Sequence, residues 1–293
     1  MVVVALDLRE AKHPDPAAQS VFDSLIGIDE QKGELLETLL LMLDPKRLDS
    51  WQRKHHPKGL NALSVLRLSD PLVILSGDVG CGKTALADSI GTPLAEKLDA
   101  RVTCYQTPSD IRGKGMVGEL SARITSCFDQ VRSRLPSGGH GILIIDEGDD
   151  VATSRTQMHA HHEDRAGLNV LVKQLDLVSR DDLRLAVLLI TNRASVLDPA
   201  VLRRAAAHIH FARPDSDARA KLFRHILAES KPTAAEIDAL CTASERSGLP
   251  FTYSDIARRA TQSALRKALQ RDRKFSSTVL LEALESMAPT PLL

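Results

Sequence analysis

Aromatic side chains are scarce: six Phe, two Tyr and one Trp in 293 residues. So few flat rings leave little on which nucleobases could stack, and they point to a core of Leu, Ile, Val and Ala, a composition suited to helices around a buried sheet. Excess charge of either sign is missing too. Lys and Arg total 38, as do Asp and Glu, so the chain as a whole lacks the electrostatic footprint of a dedicated nucleic-acid binder. Cysteine is limited to Cys81, Cys104, Cys127 and Cys241. With no CxxC pair and no closely spaced His partner, these exclude a zinc-finger pattern and suit a reducing cytoplasm. No apolar run approaches the roughly 18 residues of a membrane span, and the stretch 2–6, ended by Asp7, Arg9 and Glu10, is too short for a signal-peptide core. What is present is a 43% hydrophobic composition. It is enough for one large core and a smaller one, hence two unequal domains.

Between Pro71 and Ile190 short apolar runs alternate with amphipathic helical stretches, the pattern of an α/β fold with a parallel sheet covered by helices on both faces. The runs 72–76, 101–106, 142–146, 185–191 and 208–211 are the expected strands. Arg213-Pro214-Asp215-Ser216-Asp217 breaks the alternation, and the sequence beyond it reads as helices, the first carrying Leu222, Phe223, Ile226 and Leu227 on one face. The polar stretch 154–165, with His159, His161, His162, Glu163 and Asp164, reads as an exposed loop.

The strongest motif is Gly77-Asp78-Val79-Gly80-Cys81-Gly82-Lys83-Thr84, a complete GxxxxGKT loop after an expected strand and before a helical stretch that opens at Ala85. Its glycines let backbone N–H groups curl around phosphate oxygens, Lys83 reaches the β- and γ-phosphates of ATP, and Thr84 offers a hydroxyl to Mg2+. Asp146 ends the run Ile142-Leu143-Ile144-Ile145 and is followed by Glu147. A carboxylate there can hold Mg2+ through water, and its neighbour can orient and deprotonate the attacking water, so the pair points to hydrolysis. Asp149 and Asp150 read as a solvated acidic turn. The strand 185–190 ends in Thr191-Asn192, which sets the Asn192 amide at the edge of the sheet that carries the phosphate loop, in reach of the γ-phosphate or the lytic water. Leu197-Asp198-Pro199-Ala200-Val201-Leu202-Arg203-Arg204 follows.

This order of motifs resembles the AAA+ ATPases, in particular the ring-forming protein remodellers, over nearly the whole chain. The resemblance implies a P-loop NTPase fold: a tail over 1–20, a large α/β ATPase domain over 21–212 and a helical lid over 213–293. Phe22-Asp23-Ser24-Leu25-Ile26-Gly27-Ile28 is similar to the segment whose backbone, near Gly27 and Ile28, lines the adenine pocket. Asn192 matches the family's sensor position, and the stretch 197–204 matches the helix that carries arginine fingers into the neighbouring subunit's site. The usual second arginine would fall on Ala206, leaving Arg203 and Arg204 as candidates. Gly248-Leu249-Pro250-Phe251-Thr252-Tyr253-Ser254-Asp255-Ile256 resembles the start of the third lid helix, where Thr252 and Asp255 have capping-box spacing. The sensor arginine of many other branches is absent there. The seven basic residues between Arg258 and Lys274 read as a solvated face, with a docking surface as the alternative.

Arg112-Gly113-Lys114-Gly115-Met116-Val117-Gly118-Glu119 occupies the place of an aromatic-Val-Gly-Glu pore loop, with Met116 in place of the aromatic residue and Lys114 and Val117 beside it. A flexible, polarizable Met can grip an unstructured peptide by apolar contact. A second pore loop would fall in the His-rich stretch 158–163. The RGxGMVGE loop, the run 169–176 and Arg204-Ala205 look most like the pachytene-checkpoint type, remodellers of HORMA-domain proteins. The bacterial members belong to antiphage systems with a cyclic-nucleotide synthase. The resemblance therefore implies a cytoplasmic, ATP- and Mg2+-dependent homohexamer that remodels a protein substrate, with a HORMA-domain protein as the candidate and no membrane or nucleic-acid partner. Two alternatives compete with it. A nucleic-acid-associated AAA+ helper of transposition or replication would need a basic loop or an appended helix-turn-helix, and the sequence has neither beyond the basic lid helix. A scaffold that binds ATP without turnover is opposed by Glu147 and the arginines.

Overall fold

The computed structural model describes residues 7–66, 71–109, 111, 113, 118–153, 162–181 and 183–292. Six strands form the main sheet: β1 (Arg9–His13), β2 (Leu72–Gly77), β3 (Val102–Gln106), β4 (His140–Ile145), β5 (Leu185–Thr191) and β6 (Ala205–Phe211), in the order β1-β3-β4-β5-β2-β6. Strands β3, β4, β5 and β2 run parallel, in the register Cys104↔Ile142, Ile144↔Leu188 and Ile74↔Leu189. Central parallel strands are covered on both faces and so read as unbroken apolar runs, and every residue of β5 is buried. The expected AAA+ P-loop fold, a mostly parallel sheet flanked by helices, is the fold observed.

Strand β1 pairs antiparallel with β3 from Arg9↔Gln106 to His13↔Val102. Its sequence, REAKH, is polar because an edge strand shows solvent most of its surface, and no alternation in the sequence marked it.

The chain divides into two compact units. The first comprises residues 1–22, 31–76 and 84–210 and the second residues 23–30, 77–83 and 211–293. In the first, helix Glu119–Arg134 packs against helix His162–Arg180, and Phe128, Val131, Leu168, Leu171 and Leu175 join Leu143, Val187 and Leu189 in one core. In the second, helices Ser216–Ile226, Ala234–Ala243, Thr261–Gln270 and Ser277–Glu285 enclose Phe223, Leu240, Phe251, Ile256 and Leu280. Helix Ala234–Ala243 opens with a capping box between Thr233 and Glu236, which satisfies amides the first turn leaves without partners.

This second unit is not wholly helical. Strands β7 (Glu245–Arg246) and β8 (Leu249–Pro250) form a small antiparallel hairpin. Its two-residue turn, Ser247-Gly248, has φ of 52° and 77°, the paired positive values that match the twist of a tight hairpin. Part of the basic stretch 258–274 has intramolecular work. Lys267 donates to Glu282 O at 3.0 Å, and Arg271 pairs with the Glu282 carboxylate at 2.7 Å, fastening the last helix.

All four cysteines are free and buried. Burial pushes the Cys104 and Cys127 thiols up to about 12. Among the described residues no helix is long and apolar enough to cross a membrane.

Candidate nucleotide site

The second unit contains the glycine-rich loop. Gly77, Gly80 and Gly82 have φ of 131°, 77° and 97°, a region that L side chains rarely adopt. At Gly77 a Cβ would also drive into the Phe211 carbonyl, and at Gly80 it would lie 2.9 Å from Thr252 Oγ1 and Ser254 Cβ. The loop is also held by the later part of this unit, since the Ser254 amide donates to Gly80 O at 2.9 Å. Inside the loop the Lys83 ammonium donates to the carbonyls of Gly77 and Asp78 at 2.7 and 2.8 Å. The Asp78 carboxylate accepts from Arg213 Nε at 2.7 Å. Within the loop Val79 is exposed and Cys81 is fully buried. Burial pushes the Cys81 thiol up to about 11, with Lys83 and Arg213 opposing and Asp78 and Asp255 adding to the rise.

Gly27 and Ile28, expected near the adenine, lie in the same unit as the loop. The Gly27 carbonyl accepts from the Tyr253 hydroxyl at 2.7 Å. Ile28 is buried, with its Cδ1 3.4 Å from the place a Gly82 Cβ would take. Burial raises the Tyr253 phenol well above its ordinary range, with Cys81, Asp215 and Asp29 adding to the shift, so it stays a neutral donor. Thr252 and Asp255 make the expected reciprocal cap: the Asp255 amide donates to Thr252 Oγ1 and the Thr252 amide to Asp255 Oδ2, both at 3.1 Å. Asp255 also accepts from the Thr290 amide and hydroxyl at 2.9 and 2.8 Å, and pairs with Arg259.

In the first unit, Thr84 and Ala85 begin helix Lys83–Ser89 past its first residue. Thr84 Oγ1 donates to Asp146 Oδ2 at 2.9 Å, and Asp146 Oδ1 accepts the Glu147 amide at 2.8 Å. Glu147 is exposed, with φ 53°. Desolvation raises its carboxyl above the ordinary range, with Asp150, Asp146 and Asp149 adding repulsion. Gly148 must be glycine, because a Cβ would lie 2.6 Å from Leu189 Cγ and 3.0 Å from Ile190 O. Asp149 is more than part of a solvated turn: its Oδ1 accepts from Thr191 Oγ1 at 2.9 Å, tying the acidic turn to the end of β5. The same hydroxyl accepts the Arg193 amide at 2.9 Å, which leaves Asn192 exposed between two fixed neighbours.

Asp198 caps helix Pro199–Leu202 by accepting the Ala200 amide at 2.8 Å. The two arginines that follow differ. Arg203 is exposed, its Nε on Pro199 O at 3.2 Å. Arg204 Nε pairs with Asp176 at 3.2 Å, and a second nitrogen reaches Ala200 O at 3.3 Å.

Lys114, Met116 and Val117 lie outside the described residues, as do 154–161; the His-rich stretch is described only from His162, where a helix begins. Ile111 is buried in the core, and the Glu119 carboxylate, 5% exposed, pairs with Arg123 at 3.0 Å. Among the described residues no three His, Cys, Asp or Glu side chains group to hold a metal ion.

Two residues near the motifs carry no sequence signal of a role. Asp88 is half-buried and its carboxyl is raised by desolvation, with Arg9 opposing and Asp146 adding. Arg213 read only as the break between domains. A single carboxylate on a helix or an Arg-Pro step has no motif of its own, and both gain meaning only from partners distant in sequence.

The profile of the ATPase family associated with various cellular activities (AAA) matches residues 73–213. CD-NTase-associated protein 6 of Escherichia coli strain MS 115-1 is 35% identical over 299 residues, spanning 97% of this chain and 94% of that protein. Among solved structures, a chain of the E. coli MS115-1 HORMA:CdnC:Trip13 complex superposes with a TM-score of 0.90 at 34% identity, covering 98% of this chain and 97% of that one. Rhizobiales Trip13 follows with 0.74 at 30% identity, covering 97% and 98%.

Proposed function

This chain belongs to the AAA ATPases, and on that footing we propose that it couples ATP hydrolysis to the remodelling of a HORMA-domain protein. The observation that carries this reading is the near full-length match to a chain solved in a HORMA:CdnC:Trip13 complex. The likeness to CD-NTase-associated protein 6 supports a place in cyclic-nucleotide antiphage signalling. These relatives favour protein remodelling over a nucleic-acid helper.

In the proposed cycle, residues 21–212 act as the ATPase domain and 213–293 as its lid. Backbone amides of 78–85 cradle the phosphates, and Lys83 exchanges the carbonyls of Gly77 and Asp78 for phosphate oxygens. Gly27 and Ile28 line the adenine pocket. The hydroxyl of Thr84 and the carboxylate of Asp146, already hydrogen-bonded to each other, are hard oxygen donors of the kind Mg2+ takes, so this pair fits the ion. When bound, Mg2+ neutralises charge on the β- and γ-phosphates. Glu147 orients the attacking water and takes its proton as the water oxygen bonds to the γ-phosphorus and the ADP oxygen leaves. Asn192 hydrogen-bonds the γ-phosphate or that water. An arginine from a neighbouring subunit of a cytoplasmic homohexamer, Arg203 or Arg204, offsets the transition-state charge. Lys114, Met116 and Val117 grip the substrate chain in the pore.

The test measures ATP turnover and release of a HORMA protein from its bound partner in parallel. Met116→Ala is expected to keep basal turnover and lose release. Release at the wild-type rate removes Met116 from the grip. A wild-type protein that hydrolyses ATP but never acts on HORMA proteins overturns the substrate assignment.

A further inference from the structure

The phosphate loop carries a carboxylate of its own. Asp78 directly follows the first glycine, and a negative charge there opposes the polyphosphate the loop is built to receive. It is answered by Arg213, whose side chain is only 7% exposed while that of Asp78 is 32% exposed. All three guanidinium nitrogens are committed: Nε to Asp78 Oδ2 at 2.7 Å, one terminal nitrogen to Pro250 O at 2.9 Å and the other to Pro291 O at 3.2 Å. The fork is fixed in direction, and an arginine cannot escape by losing its proton.

Asp78 is thus held from two sides. Arg213 takes its carboxylate, and Lys83 donates to its backbone carbonyl at 2.8 Å. Without the guanidinium, the nearest cation able to satisfy that carboxylate within the loop is the Lys83 ammonium, which the phosphates need.

We propose that Arg213 is a positioning residue for nucleotide binding: by holding the Asp78 carboxylate it cancels the loop's own negative charge and keeps Lys83 available to phosphate. This rests on reading residues 77–84 as the phosphate loop. Arg213 touches no phosphate itself and acts through Asp78 and Lys83. A purely structural arginine would, on removal, lower folding stability and saturating turnover together instead of weakening nucleotide binding alone.

Repair of the loss by deleting the carboxylate is the test, made on the full chain with a fluorescent ATP analogue. Arg213→Ala is expected to raise Kd for the analogue by about tenfold or more, while turnover at saturating ATP falls far less. Asp78→Asn in the same chain is expected to bring Kd back to within about threefold of wild type. Where Arg213→Ala does not fold, Arg213→Gln removes the charge at similar bulk and is read the same way. Wild-type Kd in the single variant overturns the proposal, as does a double variant that binds no better than the single. Lys83→Ala separates the two readings. If it still binds the analogue normally, residues 77–84 are not the phosphate loop; if it does not bind and the repair fails, only the Arg213 proposal falls.

Discussion

Glu147 has a backbone conformation that L residues rarely adopt, and its carboxyl is raised by desolvation and by three neighbouring acids. Positive φ at a non-glycine residue costs free energy that surrounding contacts must offset. Here Gly148, wedged against Leu189, and the Asp146 bond to the Glu147 amide fix the turn. If Glu147 is the base, Glu147→Gln should retain ATP binding and lose about 10²–10⁴-fold in turnover; separate measurements of affinity and rate decide it. A base works ionised, so turnover should fall as pH drops through the folded value of this carboxyl, which desolvation and the neighbouring acids raise. An acid limb that Glu147→Gln leaves unchanged in its residual rate removes Glu147 from the role. The arginines separate by their contacts. Arg204 is tied to Asp176 within its own chain and Arg203 is exposed, so Arg203→Ala should lower turnover with an unchanged melting temperature. Arg204→Ala should lose at most about 1 kcal/mol of stability, the scale of a partly exposed pair. The reverse pattern would make Arg204 the finger.

Elements were legible in the sequence where their physics is local. Strands β2, β4 and β5 announce themselves as apolar runs because both faces of a central parallel strand are covered. The glycine-rich loop is contiguous and its glycines are dictated by φ, so its conformation is legible in eight letters. Strand β1 owes its existence to β3, nearly a hundred residues on, and Arg213 owes its meaning to Asp78, Pro250 and Pro291, at separations of 135, 37 and 78 residues. No window of sequence contains such pairings. Asp255 stands between these cases. Its cap with Thr252 follows from spacing, but its bonds to Thr290 do not. Because it is wholly buried, Asp255→Ala should destabilise the lid by about 3 kcal/mol, since buried amides left without an acceptor cost about 1–3 kcal/mol each. Desolvation opposes ionisation of Asp255, yet the bonds from Thr290, Thr252 and Arg259 outweigh it and lower the carboxyl below its ordinary 3.8. Its stabilisation is therefore complete above 3.8 and is lost as pH falls from there through the lowered folded value. Melting curves of wild type and Asp255→Asn should converge over that interval; parallel curves would contradict the assignment.

At the scale of the whole molecule, if a neighbour supplies the finger as proposed, turnover is a property of assembly. Turnover per subunit should rise with protein concentration and then level off, and mixing Arg203→Ala with Lys83→Ala subunits should recover part of the activity each lacks; a rate independent of concentration, with inert mixtures, would place the finger elsewhere. The buried cysteines bear on where a label could be placed. With its thiols shielded, and those of Cys81, Cys104 and Cys127 pushed up to about 11–12, the native chain offers almost no thiolate to a maleimide at neutral pH. A cysteine introduced at Leu41 in one compact unit or at Leu269 in the other, 48% and 81% exposed, would take an environment-sensitive dye against a dark background. The dye could then report on its own unit through nucleotide turnover with no native residue removed from the core.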